Sequence, residues 1–203
     1  MRGDVKRLLK SRASNAPRTL PYPRNRSIMP LVQNSIGVSV PLISNPHVLD
    51  LISHSAAQTQ RFGARMGELA HAGDLFCLEG DLGSGKTCFA QGLGRGLGIA
   101  EAINSPTFIL ANEHRGGRLP LFHLDVYRMQ SADEALGIGL DDYLADAGVC
   151  VIEWAEKIRA VLPAECLWLQ FRHLGEMKRG LLIQAFGARH EALLRAFKTS
   201  AFG

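Results

Sequence analysis

The clearest chemistry in the sequence belongs to the run GDLGSGKT at residues 80–87. Glycines let the backbone N–H groups of residues 82–87 turn inward without Cβ clashes, and a helix starting at the end of the run adds its positive dipole end. Lys86 supplies a cation for phosphate oxygens, and Thr87 supplies a hydroxyl for Mg²⁺. The run therefore matches the phosphate-binding loop (P-loop) pattern, and ATP with Mg²⁺ is the predicted ligand. The binding residues predicted from this run and the residue after it are Asp81, Leu82, Gly83, Ser84, Gly85, Lys86, Thr87 and Cys88.

A P-loop also needs a carboxylate at the end of a nearby buried strand, to hold the Mg²⁺ shell or to position water. The segment LFHLD ends in Asp125, and the segment VCVIE ends in Glu153. Either acid alone is equally consistent with a solvated strand end, but both together favour a functional role for at least one. Residue types do not decide which of them orients the attacking water. The catalytic candidates are therefore Lys86, Asp125 and Glu153, and the metal-binding candidates are Thr87, Asp125 and Glu153.

Three weaker signals accompany these residues. The run Ser105-Pro106-Thr107 stands where P-loop proteins often place a loop that senses the γ-phosphate, although such a run is also typical of a turn that stops a helix. His123 is interpreted as a packed strand residue rather than a ligand. Trp154 is interpreted as an aromatic of the core or of the cleft lip rather than a base-stacking platform.

The elements that must position this chemistry follow from the hydrophobic pattern. The apolar run at 75–79 predicts a buried strand before the P-loop, and Phe89, Leu93 and Leu97 share one face of the helix after it. Gly92 and Gly96 lie inside that helix, where each glycine costs about 1 kcal/mol relative to alanine, so we expect a close backbone approach there. A second buried strand is predicted at 149–153.

The remaining pattern alternates helices with strand pairs. A capping box of Ser55 and Gln58 opens a helix that Gly73 ends, and a second box of Ser131 and Glu134 opens a short helix. The other predicted elements are a hairpin from 107–112 and 119–125, a helical turn at 141–146, a hairpin from 166–174 and 180–186, and a closing helix at 188–198. The predicted fold is α/β, a three-layer α/β/α P-loop NTPase whose largely parallel central sheet is extended by antiparallel hairpin strands.

Charge is unevenly distributed along the chain. The net charge is +4, but residues 1–30 carry +7, so the remaining residues carry −3, which argues against a nucleic-acid face on the body. We predict a basic, disordered extension at 1–45, with a marginal edge strand at 36–43, and a single P-loop ATPase domain at 46–203. The extension faintly resembles an organelle transit peptide. Four cysteines without metal-ligand spacing are typical of buried free thiols in a reducing compartment, and no run approaches a membrane span, so cytoplasmic localisation is predicted.

Taken together, the motifs resemble one family. They are GDLGSGKT at 80–87, SPTF at 105–108, HLDVYR at 123–128 and VIEW at 151–154, in that order. This string looks like TsaE (also called YjeE), the small bacterial ATPase needed to form threonylcarbamoyladenosine in tRNA. The resemblance spans about residues 55–170, and it departs from the family pattern at Ala155, where family members often have proline, and in the basic tail.

The resemblance implies roles for individual residues and partners. Thr87 and Glu153 match the family's Mg²⁺ ligands, Asp125 matches an acid important for activity, and Ser105, Pro106 and Thr107 match a switch region. Thr59 matches a threonine that lies near the nucleotide. The family works with the TsaD–TsaB pair, which modifies adenosine 37 of tRNA, so TsaD and TsaB homologues are the expected partners. Contact with tRNA is expected only through that complex. The chain is expected not to associate with membranes, and a monomer is favoured, although the sequence does not decide the oligomeric state.

Two other functions stay open from the residues alone. A small-molecule or nucleotide kinase on the same fold usually carries an arginine-rich lid, and Arg115 with Arg118 is the only nearby pair. An ATP-gated binding module with incidental hydrolysis would use the same P-loop. GTP is disfavoured because the sequence has no N-K-x-D motif to read guanine.

Overall fold

A computed structural model describes residues 45–107, 110–137 and 139–202. Its strands are β1 (Val48–Ser53), β2 (Leu75–Glu79), β3 (Ala111–His114), β4 (Leu121–Asp125), β5 (Val149–Glu153), β6 (Cys166–His173) and β7 (Arg179–Phe186). Its helices are α1 (Ala56–Leu69), α2 (Lys86–Gly96), α3 (Ala132–Gly137), α4 (Leu140–Ala145) and α5 (Ala188–Phe202). A 3-10 helix at Ala155–Val161 follows β5.

The seven strands form one sheet in the order β1-β7-β6-β2-β5-β4-β3. Strands β6, β2, β5 and β4 are parallel, while β7, β1 and β3 extend the sheet in antiparallel fashion. This arrangement confirms the predicted fold class. It also places the ends of β2, β4 and β5 side by side, at the edge where α/β proteins of this kind bind ligands.

Hydrophobic cores cover both faces of the sheet. In β2, Phe76 and Leu78 enter a cluster with α1, α2 and α5, whereas Leu75 and Cys77 enter a second cluster with α3, α4 and the 3-10 helix. This alternation is the period of two expected of a strand. Because each face meets apolar partners, β2 is apolar at every position but its last, as the sequence predicts.

Glycines bring α1 and α2 into backbone contact. A Cβ added at Gly92 would lie 2.0 Å from the Gln60 carbonyl oxygen, and one at Gly96 would lie 1.9 Å from that of Ala64. Gly63 and Gly67 on α1 face the backbone of α2 in the same way. The predicted close approach at Gly92 and Gly96 is confirmed, and its partner is α1. The face formed by Phe89, Leu93 and Leu97 is fully buried.

Most predicted elements are confirmed, with corrected boundaries. Helix α1 begins after Ser55, whose hydroxyl accepts from the Gln58 amide, but it ends at Leu69, and Gly73 serves a turn before β2. The first hairpin begins at Ala111 rather than at residue 107, and the closing helix continues to Phe202. Strand β1 and the 3-10 helix were not predicted.

Some predictions stay untested. The extension predicted at 1–45, apart from its last residue, and the marginal strand at 36–43 lie outside the described residues. Among the described helices, none has the length and hydropathy needed to cross a membrane.

Candidate functional site

The P-loop joins β2 to α2, as the sequence predicts. Gly83 has φ +73° and Gly85 has φ +105°, a left-handed conformation that side chains rarely adopt. Gly85 is the N-cap of α2, so Lys86 and Thr87 occupy the first turn of the helix. The unpaired N–H groups of that turn therefore point toward the space in front of the loop.

A cleft of about 330 Å³ opens in front of the P-loop. It gathers most of the predicted site residues, together with two aromatic residues that were not predicted to bind. Its predicted members are Leu82, Gly83, Ser84, Gly85, Lys86, Thr87, Cys88, Ser105, Thr107, Asp125 and Glu153. The two additional residues are Tyr127 and Trp154. The predicted residues Asp81 and Thr59 do not line the cleft.

Thr87 and Glu153 meet across the cleft. The Thr87 hydroxyl donates to Oε2 of Glu153 at 2.9 Å, and Nε2 of His123 donates to Oε1 of the same carboxylate, also at 2.9 Å. His123 is completely buried, and Glu153 is 3% exposed. The interpretation of His123 as a packed strand residue is therefore correct but incomplete, because its ring fixes the orientation of Glu153.

Asp125 holds the Ser105–Thr107 loop. Its Oδ2 accepts from the hydroxyls of Ser105, at 2.5 Å, and Thr107, at 2.6 Å. Its Oδ1 accepts from the backbone N–H of Tyr127 at 2.9 Å. The segment Ser105–Thr107, predicted to be either a sensor loop or a simple turn, is thus bound directly to one of the two candidate carboxylates.

The two carboxylates are neighbours with different surroundings. Asp125 and Glu153 face each other as the last pair of the β4–β5 ladder, and both are almost fully buried. Glu153 contacts the first turn of α2, whereas Asp125 contacts the Ser105–Thr107 loop. The geometry gives the two acids distinct partners at one end of the sheet.

The ammonium of Lys86 is folded back onto its own loop. Its Nζ donates to the carbonyl oxygens of Gly80, at 2.5 Å, and Asp81, at 3.0 Å, and lies 3.6 Å from the centre of the Trp154 ring. Burial lowers the pKa of Lys86 below its usual value, and nearby carboxylates, chiefly Glu153, oppose that shift. Asp81 therefore contributes a backbone oxygen to Lys86 rather than a side chain to the cleft.

Sequence reasoning did not assign Tyr127 and Trp154 to the site. Trp154 directly follows Glu153 and has φ +63°, and its ring packs against that of Tyr127 with 4.9 Å between centroids. The ammonium of Lys157 donates to the Tyr127 carbonyl oxygen. Their positions in the sequence could have predicted that they lie at the site, because each aromatic follows a strand-end acid within two residues. Trp154 lies at the lip of the cleft, one of the two environments that its interpretation allowed.

Thr59 lines a second cavity of about 180 Å³ beside the P-loop. This cavity shares Gly83, Gly85 and Cys88 with the cleft, so the two spaces meet along one wall of the loop. The Thr59 hydroxyl lies 2.8 Å from that of Ser53 and is buried. Thr59 is therefore close to the P-loop, in a cavity that the two carboxylates do not line, and its place near the nucleotide stays a prediction.

The β6–β7 turn supports the tip of the P-loop. Nε2 of His173 lies 3.4 Å from the Leu82 carbonyl oxygen, and Arg179 donates to that of Gly83 at 3.2 Å. In contrast, Arg115 binds Glu113, and Arg118 binds carbonyl oxygens at the end of α1. Neither of this arginine pair lines the cleft, so the lid expected of a kinase is not formed by them.

The donor set fits Mg²⁺ bound together with phosphate. Thr87 and Glu153 offer a hydroxyl and a carboxylate, the hard oxygen ligands that Mg²⁺ prefers, and Mg²⁺ usually takes its remaining ligands from phosphates and water. Within the described residues, no group of three His, Cys, Asp or Glu side chains is arranged to hold a metal ion.

Comparisons with known proteins agree on one relationship. The family model described as threonylcarbamoyl adenosine biosynthesis protein TsaE matches residues 53–181. A tRNA threonylcarbamoyladenosine biosynthesis protein TsaE from Bacillus subtilis is 43% identical over 136 residues, 67% of this chain and 85% of the relative. The protein of the same name from Treponema pallidum is 42% identical over 132 residues, 65% of this chain and 97% of the relative. The crystal structure of Bacillus subtilis YdiB superposes with a TM-score of 0.67 at 35% identity, covering 76% of this chain and 96% of that one.

Proposed function

The chain belongs to the TsaE family, and from that premise we propose that it is a Mg²⁺-dependent ATPase that supports threonylcarbamoyladenosine formation in tRNA. Its relatives are named for the biosynthesis of this modified nucleoside. The cleft supports the finer part of the proposal, because it combines a phosphate-binding loop with two buried carboxylates.

The P-loop is the proposed site of the triphosphate. Backbone N–H groups of residues 82–87 and the positive end of α2 bind the phosphate oxygens, and Lys86 adds the cation closest to them. The neighbouring cavity beside Thr59, which shares Gly83, Gly85 and Cys88 with the cleft, is the proposed position of the rest of the nucleotide. The site thus extends from the carboxylates, past the P-loop, toward α1.

The two carboxylates have different proposed roles, metal binding for Glu153 and positioning of the loop and of water for Asp125. Thr87 and Glu153 are the proposed Mg²⁺ ligands, and the ion, when bound, neutralises charge on the transferring phosphate. His123 keeps Glu153 in place through its second oxygen. Asp125 holds Ser105 and Thr107 at the cleft, where the loop is positioned to respond to the terminal phosphate and Asp125 to orient water.

The proposed partners are homologues of TsaD and TsaB, which carry out the transfer to tRNA. Hydrolysis by this chain then drives turnover of their complex rather than the transfer itself, and tRNA is reached only through that complex. The support for this step is family membership. A pull-down of purified chain with the TsaD–TsaB pair, with and without Mg-ATP, tests it directly.

The observation that carries the enzymatic proposal is the 2.9 Å contact between Thr87 and Glu153 beside Lys86. The test is calorimetric titration with ATP, with and without Mg²⁺, followed by measurement of phosphate release. Lys86→Ala should weaken ATP binding about 10- to 100-fold, because a charged hydrogen-bond donor to phosphate is lost. Wild-type affinity in that variant would contradict the proposed phosphate site.

Phosphate release also separates this function from its alternatives. Release without any added acceptor supports an ATPase, whereas loss of ATP only in the presence of an acceptor would show a kinase. Binding to TsaD–TsaB that requires ATP but proceeds at negligible turnover would show an ATP-gated module. Each assay uses the full chain.

A further inference from the structure

The Lys86 ammonium has three contacts of unequal strength. Two of its N–H groups are directed at the carbonyl oxygens of Gly80 and Asp81, and the third direction is covered by the face of the Trp154 ring, 3.6 Å away. The two hydrogen bonds from this charged donor together outweigh the single cation–π contact. The ring is therefore the contact that a stronger ligand replaces first.

Only one of these contacts lies on the cleft side. Lys86 and Trp154 line the cleft, but Gly80 and Asp81 do not. The two carbonyl oxygens thus hold the ammonium from behind, and the indole stands between the ammonium and the open space. A phosphate that enters the cleft and binds Lys86 must take the position of the ring face.

The backbone holds Trp154 in this position. Its φ of +63° is uncommon for a non-glycine residue, and it turns the chain immediately after Glu153 so that the ring lies over Lys86. The Tyr127 ring packs against the indole at 4.9 Å, and Tyr127 itself is fixed by its backbone bond to Asp125. The contact with Lys86 is therefore part of an ordered aromatic pair at the lip of the cleft.

We propose that Trp154 is a positioning residue for Lys86. The indole of Trp154 holds the Lys86 ammonium at the cleft until phosphate oxygens displace the ring. This inference rests on the proposed phosphate binding, and it adds that the Trp154 ring competes with phosphate for the Lys86 ammonium. The ring keeps the cation satisfied and localised when no phosphate is present. Phosphate binding then moves the indole away from Lys86 and from Tyr127.

Pyrophosphate, which has no base, is the probe that separates a response of Trp154 to phosphate from a response to the adenine base. The chain has two tryptophans, Trp154 and Trp168. Pyrophosphate with Mg²⁺ should change the tryptophan emission of the wild-type chain, while adenosine alone should not. The change should disappear in Trp154→Phe, which retains Trp168, and in Lys86→Met, which has no ammonium to release. A full change with adenosine would show that Trp154 is a platform for the base, and would overturn the proposal.

Affinity gives a second, independent readout. Trp154→Leu should bind pyrophosphate about two- to fivefold more tightly than the wild type, because the competing cation–π contact is lost, and Trp154→Phe should fall between them. Unchanged or weaker binding in Trp154→Leu would overturn the proposal. Should that variant not fold, Trp154→Phe carries the same comparison.

Calorimetry separates this proposal from the proposed function. Measurable binding of pyrophosphate and ATP to the wild-type chain, without any change in Trp154 emission, would leave the ATP site standing and exclude the role of Trp154. The absence of measurable binding of either ligand would overturn both.

Discussion

At the scale of single residues, the site is built from three hydroxyl–carboxylate contacts, one to Glu153 and two to Asp125. Thr87 joins the start of α2 to Glu153, and Asp125 joins β4 to the hydroxyls of Ser105 and Thr107. Both acids are buried beside a P-loop, so neither is a solvated strand end. This geometry favours Glu153 as the metal-binding acid and Asp125 as the acid that controls the loop.

Glu153→Gln tests that division. The variant keeps the shape of the side chain but removes the negative charge, so the fold should persist while Mg²⁺-dependent phosphate release falls on the order of 100-fold. Circular dichroism checks the fold, and a Mg²⁺ titration of phosphate release checks the activity. Glu134→Gln on α3, outside the cleft, is the matched control. If release by Glu153→Gln equals that of the control, Asp125 becomes the better metal ligand.

The sequence predicted most of this site because its residues occur in motifs with a physical rationale. The P-loop was predicted from its motif and the two acids from the apolar strands that they end, and all but Asp81 and Thr59 of the predicted residues line the cleft. The contact between Lys86 and Trp154 was not predictable in this way. It depends on a positive φ at Trp154, and tryptophan has no preference for that conformation.

At the scale of elements, the P-loop helix is held by direct contact of its backbone with α1. Substitution of Gly92 by alanine tests this packing. The added Cβ would lie 2.0 Å from the Gln60 carbonyl oxygen, so the helices must separate. The free energy of unfolding should fall by about 1–3 kcal/mol, despite the better helix propensity of alanine.

Gly137→Ala is the matched control for that measurement. A Cβ at Gly137, the last residue of α3, would meet no atom within 4 Å. Its free energy of unfolding in urea should stay within about 0.5 kcal/mol of wild type. Equal losses in the two variants would show that backbone contact is not what holds α1 against α2.

The β6–β7 turn is the second element that acts on the P-loop. Arg179 donates to the Gly83 carbonyl oxygen and to three carbonyl oxygens of its own turn. Arg179→Met should therefore weaken ATP binding about two- to tenfold, because the tip of the loop loses an external hydrogen bond. Calorimetry measures the affinity. Lys178→Met removes the same charge from the next residue, and an equal effect there would point to charge rather than to loop support.

Element boundaries show where sequence patterns stop being sufficient. Strands β2 and β5 were predicted with correct ends because both of their faces are buried. Helix α1 ends before Gly73, and the carbonyl oxygens of Gly67 and Ala70 at its end are bound by Arg118, about 50 residues away. Strand β1 was missed because it is an edge strand with only Leu51 and Ser53 buried. These features depend on tertiary contacts, which local periodicity does not contain.

At the scale of the whole molecule, α5 places a buried histidine against the start of β2, at the end of the sheet opposite the cleft. Leu75 donates its backbone N–H to Nε2 of His190, and Asp74, Arg189 and Glu165 are the charged groups nearby. Burial lowers the pKa of His190 below its usual value, although Asp74 opposes the shift. Protonation would also convert Nε2 from an acceptor into a donor and break the bond to Leu75.

This histidine predicts a pH dependence of stability. Because the folded pKa lies below the unfolded value of about 6.5, the stabilisation is complete above that pH and is lost as pH falls toward the folded pKa. One such group changes the free energy of unfolding by at most about 1.4 kcal/mol per pH unit. Urea unfolding between pH 7.5 and 5 measures the slope.

His190→Gln should flatten that slope, since its amide oxygen can accept from Leu75 but does not titrate. His54→Gln, at an exposed position before α1, is the control and should keep the wild-type slope. A wild-type slope in His190→Gln would assign the pH dependence to other groups.

The buried bond between His123 and Glu153 has a consequence for how β4 aligns with β5. Every residue of both strands is buried, so hydrophobicity alone does not distinguish the native alignment from one slipped by two residues. Such a slip would move His123 about 7 Å from its partner and leave two polar groups unpaired in the interior. The bond from His123 therefore helps to specify the register of β4 against β5. A two-residue insertion or deletion in β4 would lower the stability of the fold far more than the apolar composition of the strand suggests.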